Sequence, residues 1–295
     1  MRGARPERGV ERAVEREGVL RRGERVLVAC SGGPDSAALG GVLDALVPGL
    51  DLDVRVAHVN HGIRASAGQD ECVAAAIAAG LGRPFEAVHL AGAASAEASL
   101  REARYAALLE LAQRRGCTAV ATAHHAEDQS ETVLLALFRG AGPEGVGGMR
   151  VRRPLGDGVD LVRPLLRVPA SELRDYCHRR GLPYVVDPSN ADLGLRRNAV
   201  RSALEALRPA FPGLDEAVAR AAELVAGERE GTGRAQLRRR VRERLAGEDE
   251  LRDVDFTHVE AAVRTLERGG SGTFHMKAGV RLEILHGTIA GITRE

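Results

Sequence analysis

Apolar positions along the first two-thirds of the chain follow two alternating rhythms. Short β-rich apolar runs at Val26–Cys30, Val54–Val59, Phe85–Leu90 and Thr118–Ala123 predict strands. Between and after them, Asp35–Val47, Gln69–Ala79, Glu97–Arg115 and Ala126–Phe138 carry helical spacing. That βαβα order predicts an α/β fold, a doubly wound parallel sheet with helices on both faces. Ligands in such sheets sit at the carboxyl ends of strands, which directs attention to the residues after Cys30 and after Ala123. Arg139–Gly148 is glycine-dense and reads as a mobile loop. A Pro-punctuated segment at Arg163-Pro164 follows, then helices at Ala170–Arg180 and Asn198–Leu207. Composition shifts at Pro209–Gly213, where a boundary is placed. Beyond it, Leu214–Ala226 and Gly233–Leu245 are helical in pattern and Leu282–Ile292 alternates as strands do. The expected division is an extension over 1–22, a nucleotide-binding domain over 23–210, and a second, smaller domain over 211–295, mainly helical or α+β.

Composition narrows the class. An apolar fraction of 44% can fill a core. No apolar run approaches the roughly 18–20 residues that span a bilayer, and Met1–Gly9 has no apolar signal-peptide region. The expectation is a soluble cytoplasmic protein with no membrane partner. Cysteines stand alone at positions 30, 72, 117 and 177, a spacing that disfavours zinc, iron–sulfur or dithiol chemistry. The net charge of +1 does not announce a nucleic-acid binder. The cations are nearly all arginine, with Lys277 the single lysine, and arginine binds phosphate through its planar fork.

Ser31-Gly32-Gly33-Pro34-Asp35-Ser36 carries the sharpest chemistry. The glycines permit close backbone approach, Pro34 suits the first turn of a helix, and the free amides there favour a phosphate. It is neither a Walker A loop nor G-x-G-x-x-G. A carboxylate at Asp35 beside a phosphate nest is repulsive unless a cation intervenes, so Mg²⁺ is expected at or near it. The plain alternative is a tight turn before a helix. In His124-His125-Ala126-Glu127-Asp128-Gln129-Ser130-Glu131-Thr132, Asp128 and Glu131 share a helical face. They could hold an ammonium group, or simply favour a helix N-terminus. His124 and His125 fit ligands less well than structural residues. Arg101-Glu102-Ala103-Arg104-Tyr105 offers either a phosphate contact or a surface ion pair, and Asp187–Asn190 with Arg196–Arg201 either a site or a capped basic helix.

The loop resembles that of the PP-loop ATP pyrophosphatase superfamily, whose members adenylate a substrate and release pyrophosphate. Taken together, Ser31–Ser36, His58–Arg64, Arg101–Tyr105, His124–Thr132, Arg139–Gly142 with Gly148-Met149, Arg163–Leu166 and Asp187–Arg201 resemble the tRNA(Ile)-lysidine synthetase family. The resemblance covers roughly residues 20–210 and only loosely the tail. It implies ligation of free L-lysine to C2 of the wobble cytidine in the CAU anticodon of tRNA(Ile), with ATP as co-substrate and Mg²⁺. By the same resemblance, Ser31, Gly32, Gly33, Pro34, Asp35 and Ser36 bind ATP, and Asp35 sits with Mg-ATP. Arg104 stabilises phosphate or the adenylate, while Asp128, Glu131 and Arg197 form a lysine pocket; Asp35, Arg104 and Asp128 are the expected catalytic residues. Glu127 departs from the Asp of many members. The small C-terminal domain is expected to touch tRNA, its Arg-dense helix being one candidate, and a homodimer is among the assemblies such a family forms. Two alternatives stay open: a PP-loop tRNA 2-thiolase, which the scattered cysteines disfavour, and a non-catalytic nucleotide-binding regulator.

Overall fold

In a computed structural model of the chain, the described residues are 19–60, 67–90, 97–185, 195–230, 233–245, 256–275 and 280–294. They form two compact units, Met1–Gly140 with Gly148–Arg220, and Ala141–Gly147 with Ala221–Glu295.

The larger unit is built on a six-stranded sheet. Its strands are β1 (Arg25–Ala29), β2 (Asp53–Asn60), β3 (Phe85–His89), β4 (Ala119–Ala121), β5 (Arg152–Gly156) and β6 (Val159–Val162). Their order is β3-β2-β1-β4-β6-β5, parallel throughout except for β5, which runs antiparallel to β6 at the edge. The β5–β6 hairpin is absent from the sequence expectations, because Arg152, Arg153 and Pro154 hide the alternation of β5. Its turn signal was nevertheless present: Asp157 and Gly158 have φ of 42° and 77°, the left-handed pair that a two-residue hairpin loop demands.

Both faces of the sheet are covered, which is why its strands read as nearly continuous apolar runs. Val26, Val28, Val54 and Val56 turn to one face. There they meet Ala37, Leu39, Val42 and Leu43 of α1 (Pro34–Leu50), Ile77 of α2 (Ala67–Gly80), and Leu173 and Tyr176 of α6 (Ala170–Arg180). Leu27, Ala57, Val120 and Leu161 turn to the other face, under Leu108 and Leu111 of α3 (Glu97–Arg114). Further helices are α4 (Ala126–Phe138) and α7 (Leu195–Leu207), which pack on one another, and α8 (Leu214–Glu230), within which the division between units falls. The glycine-dense stretch after Arg139 contains a helical turn, α5 (Pro143–Val146).

The smaller unit sets α9 (Gly233–Leu245) and α10 (Phe256–Glu267) against an antiparallel sheet of β7 (Gly272–His275), β8 (Val280–Leu285) and β9 (Thr288–Arg294). Val241, Val259, Val263, Leu282 and Ile284 fill its core. This is the α+β form of the expected tail, and α10 is an element the sequence reading did not contain. Two arginines of α9 are structural: Arg238 is buried against Glu260, and Arg234 also bonds Glu260, at 2.9 Å. Arg239 and Arg240 stay exposed. No helix among the described residues is long and apolar enough to cross a membrane.

Candidate active site

Strand connections leave β1 in one direction and β4 in the other, so the carboxyl ends of β1 and β4 flank the point where the winding reverses. The glycine loop follows β1, and the His124-His125 turn follows β4.

The loop is held from within and from below. Ser36 Oγ accepts from Ser31 N at 3.1 Å and donates to Gly33 O at 2.9 Å, folding the hexapeptide over its own helix start. Gly32 has φ +85°, and a Cβ there would lie 2.8 Å from the Asp70 carbonyl oxygen, so only glycine fits. Gly33 is the N-cap of α1 and Pro34 enters its first turn, leaving the amides of that turn toward the crevice. From elsewhere, Val185 N donates to Gly32 O at 2.9 Å and Cys177 Sγ to Pro34 O at 3.3 Å. His58, buried on β2, bonds the Cys30 carbonyl through Nδ1 at 2.8 Å, fixing the start of the loop.

Asp35 meets a cluster of opposite and like charge. His125 Nε2 lies 3.7 Å from Asp35 Oδ2 and 3.4 Å from Asp128 Oδ2, while its Nδ1 lies 2.9 Å from Glu127 Oε2. Burial works against a charged His125, but the Glu127 bond and the fields of Asp128 and Asp35 outweigh it and lift the imidazole to about 9. His125 is therefore an imidazolium at neutral pH, ringed by three carboxyl groups. Asp35 is pushed upward by burial, with His125 opposing and Asp128 adding to the shift. Its Oδ1 is buried without a hydrogen-bond partner. Burial also raises Glu127, but its bonds to His125 and to Ala170 N (3.0 Å) leave it lowered overall. Glu127 thus ties α6 to the site and orients His125.

Asp128 accepts from His125 N at 3.1 Å at the start of α4, and its Oδ1 lies 3.7 Å from Arg197 Nη2 on α7. Glu131, one turn on and 2% exposed, is shared between Arg197 Nε at 2.8 Å and Arg201 Nε at 2.7 Å. Burial resists its ionisation; the bonds to Arg201 and Arg197 overcome that and hold it below the usual carboxylate range. Asp128, Glu131 and Arg197 thus lie together, but Glu131 is engaged on both oxygens, whereas Asp128 keeps only looser contacts. Gln129, on the next face, clamps the Met149 backbone from both sides (3.1 and 2.8 Å), with Gly148 at φ +66° packed on its amide.

His124 faces a different field. It is within 3.0 Å of Thr122 Oγ1, and burial, reinforced by Arg163, Arg101 and Arg197, drives its pKa down to about 3. Arg104 is exposed in the second turn of α3. Helices preceding a parallel strand begin at the carboxyl edge, so Arg101 and Arg104 belong to the same end of the sheet as the loop. His61–Arg64 and Asp187–Asn190 lie outside the described residues.

Several contributors escaped the sequence reading. From sequence His125 reads as a structural residue and Glu127 as a departure from the family's Asp, and neither Arg201 nor Gln129 carries an expectation of its own. Arg201 carried a usable signal, standing four residues after Arg197 on one helical face. Asp35 fits Mg²⁺: a buried, unpartnered carboxylate oxygen beside a phosphate-binding turn is the single-carboxylate arrangement that Mg²⁺ uses when phosphates supply its other ligands. Among the described residues no three His, Cys, Asp or Glu side chains are set to hold a metal by themselves, and Cys30, Cys117 and Cys177 are buried in the core.

A family model described as a PP-loop domain matches residues 6–207. The chain is 44% identical over 214 residues to the tRNA(Ile)-lysidine synthase of Salinispora arenicola, covering 69% of this chain and 62% of that one. It is 40% identical to the tRNA(Ile)-lysidine synthase of Ralstonia nicotianae (67% and 44% covered) and 41% to that of Alkalilimnicola ehrlichii (83% and 53%). The chain therefore spans roughly half the length of these curated relatives. Among solved structures, the U34-tRNA thiolase NcsA from Methanococcus maripaludis, with its [4Fe-4S] cluster, superposes with a TM-score of 0.65 at 20% identity, over 75% of this chain and 78% of that one. That likeness is one of fold.

Proposed function

The chain belongs to the PP-loop domain family, and on that premise we propose that it joins free L-lysine to C2 of the wobble cytidine in the CAU anticodon of tRNA(Ile), consuming ATP and releasing AMP and pyrophosphate in the cytoplasm. The cytosine C2 oxygen is a poor leaving group. Its attack on the α-phosphorus of ATP expels pyrophosphate and makes it an adenylate. The lysine ε-nitrogen then adds at C2, the C2–O bond breaks, AMP departs, and the nitrogen sheds its proton.

The residues take the following parts. Ser31–Ser36 cradle the phosphates through the exposed amides of the α1 turn. Asp35 would hold Mg²⁺, which when bound offsets phosphate charge. Arg104, at the same edge, steadies the phosphate or the adenylate. Asp128 receives the lysine ammonium group and Arg197 its carboxylate. Glu131 and Arg201 hold Arg197 in place, a positioning role that follows from the saturation of Glu131 by two guanidiniums. The domain over 211–295 contacts tRNA, with exposed Arg239 and Arg240 the available cations of α9.

The observation that carries this reading is the acid and guanidinium pair Asp128–Arg197, 3.7 Å apart beside the nucleotide loop. A zwitterionic amino acid needs one group of each sign, and a nucleotide-binding regulator needs neither. Asp128→Ala is expected to raise KM for lysine at least tenfold, the cost of about 1.4 kcal/mol of lost ionic binding, with KM for ATP changed far less. Equal effects on both substrates would contradict the lysine pocket.

A further inference from the structure

Among the described residues, buried arginine and glutamate side chains are as a rule paired with an opposite charge. Buried Arg238 bonds Glu260, Arg152 bonds Glu24 and Asp160, and Arg197 and Arg201 share Glu131. Arg163 breaks the pattern. It follows β6, is 3% exposed, donates from Nη1 to the Arg150 carbonyl at 2.6 Å, and hydrogen-bonds the Tyr105 side chain. Its Nε has no partner. Its charged neighbours are further cations. The Arg101 and Arg153 guanidiniums lie 5.5 and 5.7 Å from the centre of the Tyr105 ring, and both act on Arg163. Arg153 otherwise donates only to Pro154 O, and among the described residues none of the three has a carboxylate partner. The same arginines, through Arg163 and Arg101, bear on His124.

A buried cation without a counter-ion is costly, and like-charged neighbours add to the cost. Such a cluster is tolerable in a fold that is completed by an anion. Its form supports this. Arg163 lies at the floor, Arg153 is half-buried, and Arg101 is exposed at the rim. Planar guanidinium forks match tetrahedral oxyanions, and two of them lie within cation–π range of the Tyr105 ring. The position is also distinct from the glycine loop. β4 lies between β1, which ends in that loop, and β6, which ends in Arg163, so the two sites stand two strand spacings apart, roughly 10 Å.

We propose that Arg163, Arg153 and Arg101, set about Tyr105, form a second oxyanion site of this edge of the sheet, built for a phosphate group. The phosphate is either a backbone phosphate of the polynucleotide substrate or a phosphate of the nucleotide; naming those sources rests on the function proposed above, whereas the site itself does not.

The test uses the full chain and its Arg101→Gln and Arg153→Gln variants, both at the more accessible part of the cluster, with circular dichroism and thermal melting as fold checks. Binding of inorganic pyrophosphate is measured by calorimetry and binding of tRNA by filter retention across a salt series, without lysine. Should the phosphate come from RNA, tRNA affinity falls about tenfold in each variant and the slope of log K against log salt shrinks by roughly 0.7 per lost contact, with pyrophosphate unaffected. Should it come from the nucleotide, pyrophosphate affinity falls and tRNA affinity holds. Unchanged affinity for both ligands in both variants overturns the site. If the variants lose phosphate while the parent protein fails to place lysine on RNA, the lysine reading falls and the oxyanion site stands.

Discussion

Two histidines adjacent in the chain, His124 and His125, end in opposite electrostatic surroundings. His125 turns to Asp35, Glu127 and Asp128 and is lifted to about 9; His124, buried and in the field of Arg163, Arg101 and Arg197, is lowered to about 3. Residue type and sequence distance are the same, so the difference arises from what β1, β6 and α3 bring to each side of β4. The acid side is a place for cations, where Mg²⁺ and the lysine ammonium are proposed to bind. The arginine side is a place for anions. A reaction that joins a cationic amine to a polyanion needs both, and the turn after β4 separates them by one residue.

The largest expected effect comes from breaking the acid side. Asp35→Asn is expected to lower kcat by about a hundredfold or more, the scale on which a single charge-stabilising group acts in a transition state. Because Asp35 Oδ1 has no partner and the carboxyl group is held up by burial, the variant should melt no lower than its parent. A loss of activity accompanied by a lowered Tm would make Asp35 a folding residue.

Next in size is Glu131→Gln. It leaves Arg197 and Arg201 without their shared carboxylate. A fully buried pair broken in this way costs roughly 3–5 kcal/mol; with the arginine side chains 23% and 29% exposed, solvent screening reduces this to about 2 kcal/mol. Urea unfolding measures that loss, and a lysine KM that rises along with it would mark Glu131 as the positioning group for Arg197. A stability change near zero would remove that role.

A third prediction sharpens the histidine contrast itself. The folded state prefers charged His125, so its contribution is complete below the unfolded value of 6.5 and is lost as pH rises through about 9. The folded state prefers neutral His124, so stability falls as pH drops from 6.5 toward about 3. The pair therefore places its stability optimum near pH 6.5. His125→Gln should flatten the alkaline side of the ΔG–pH curve and His124→Gln the acid side, by chemical denaturation at each pH. Two variants with identical curves would contradict the opposed fields.

Much of this is legible in the sequence, residue by residue. The parallel sheet is readable because Val26–Cys30 and Thr118–Ala123 are central strands covered on both faces and so carry unbroken apolar runs. The glycine loop was readable because Gly32 and Gly33 serve backbone geometry, which is local. The β5–β6 hairpin was obscured because an edge strand tolerates Arg152, Arg153 and Pro154. The charge assignments were out of reach. Of the three carboxyl groups around His125, Asp35 is 90 residues upstream, and Arg163 is distinguished only by acids that do not surround it. Glu131 and Arg197 were found as a pair by resemblance, but the saturation of Glu131 depends on Arg201 and on the packing of α7 against α4.

The central claim, that this site unites an amine with RNA at the expense of ATP, is tested most directly by incubating the full chain with the CAU-anticodon tRNA(Ile), Mg-ATP and radiolabelled lysine, and counting label in the purified RNA. The account predicts label in RNA, dependent on ATP, with AMP and pyrophosphate formed in equal amounts. ATP consumed to AMP with no label entering the RNA would contradict it.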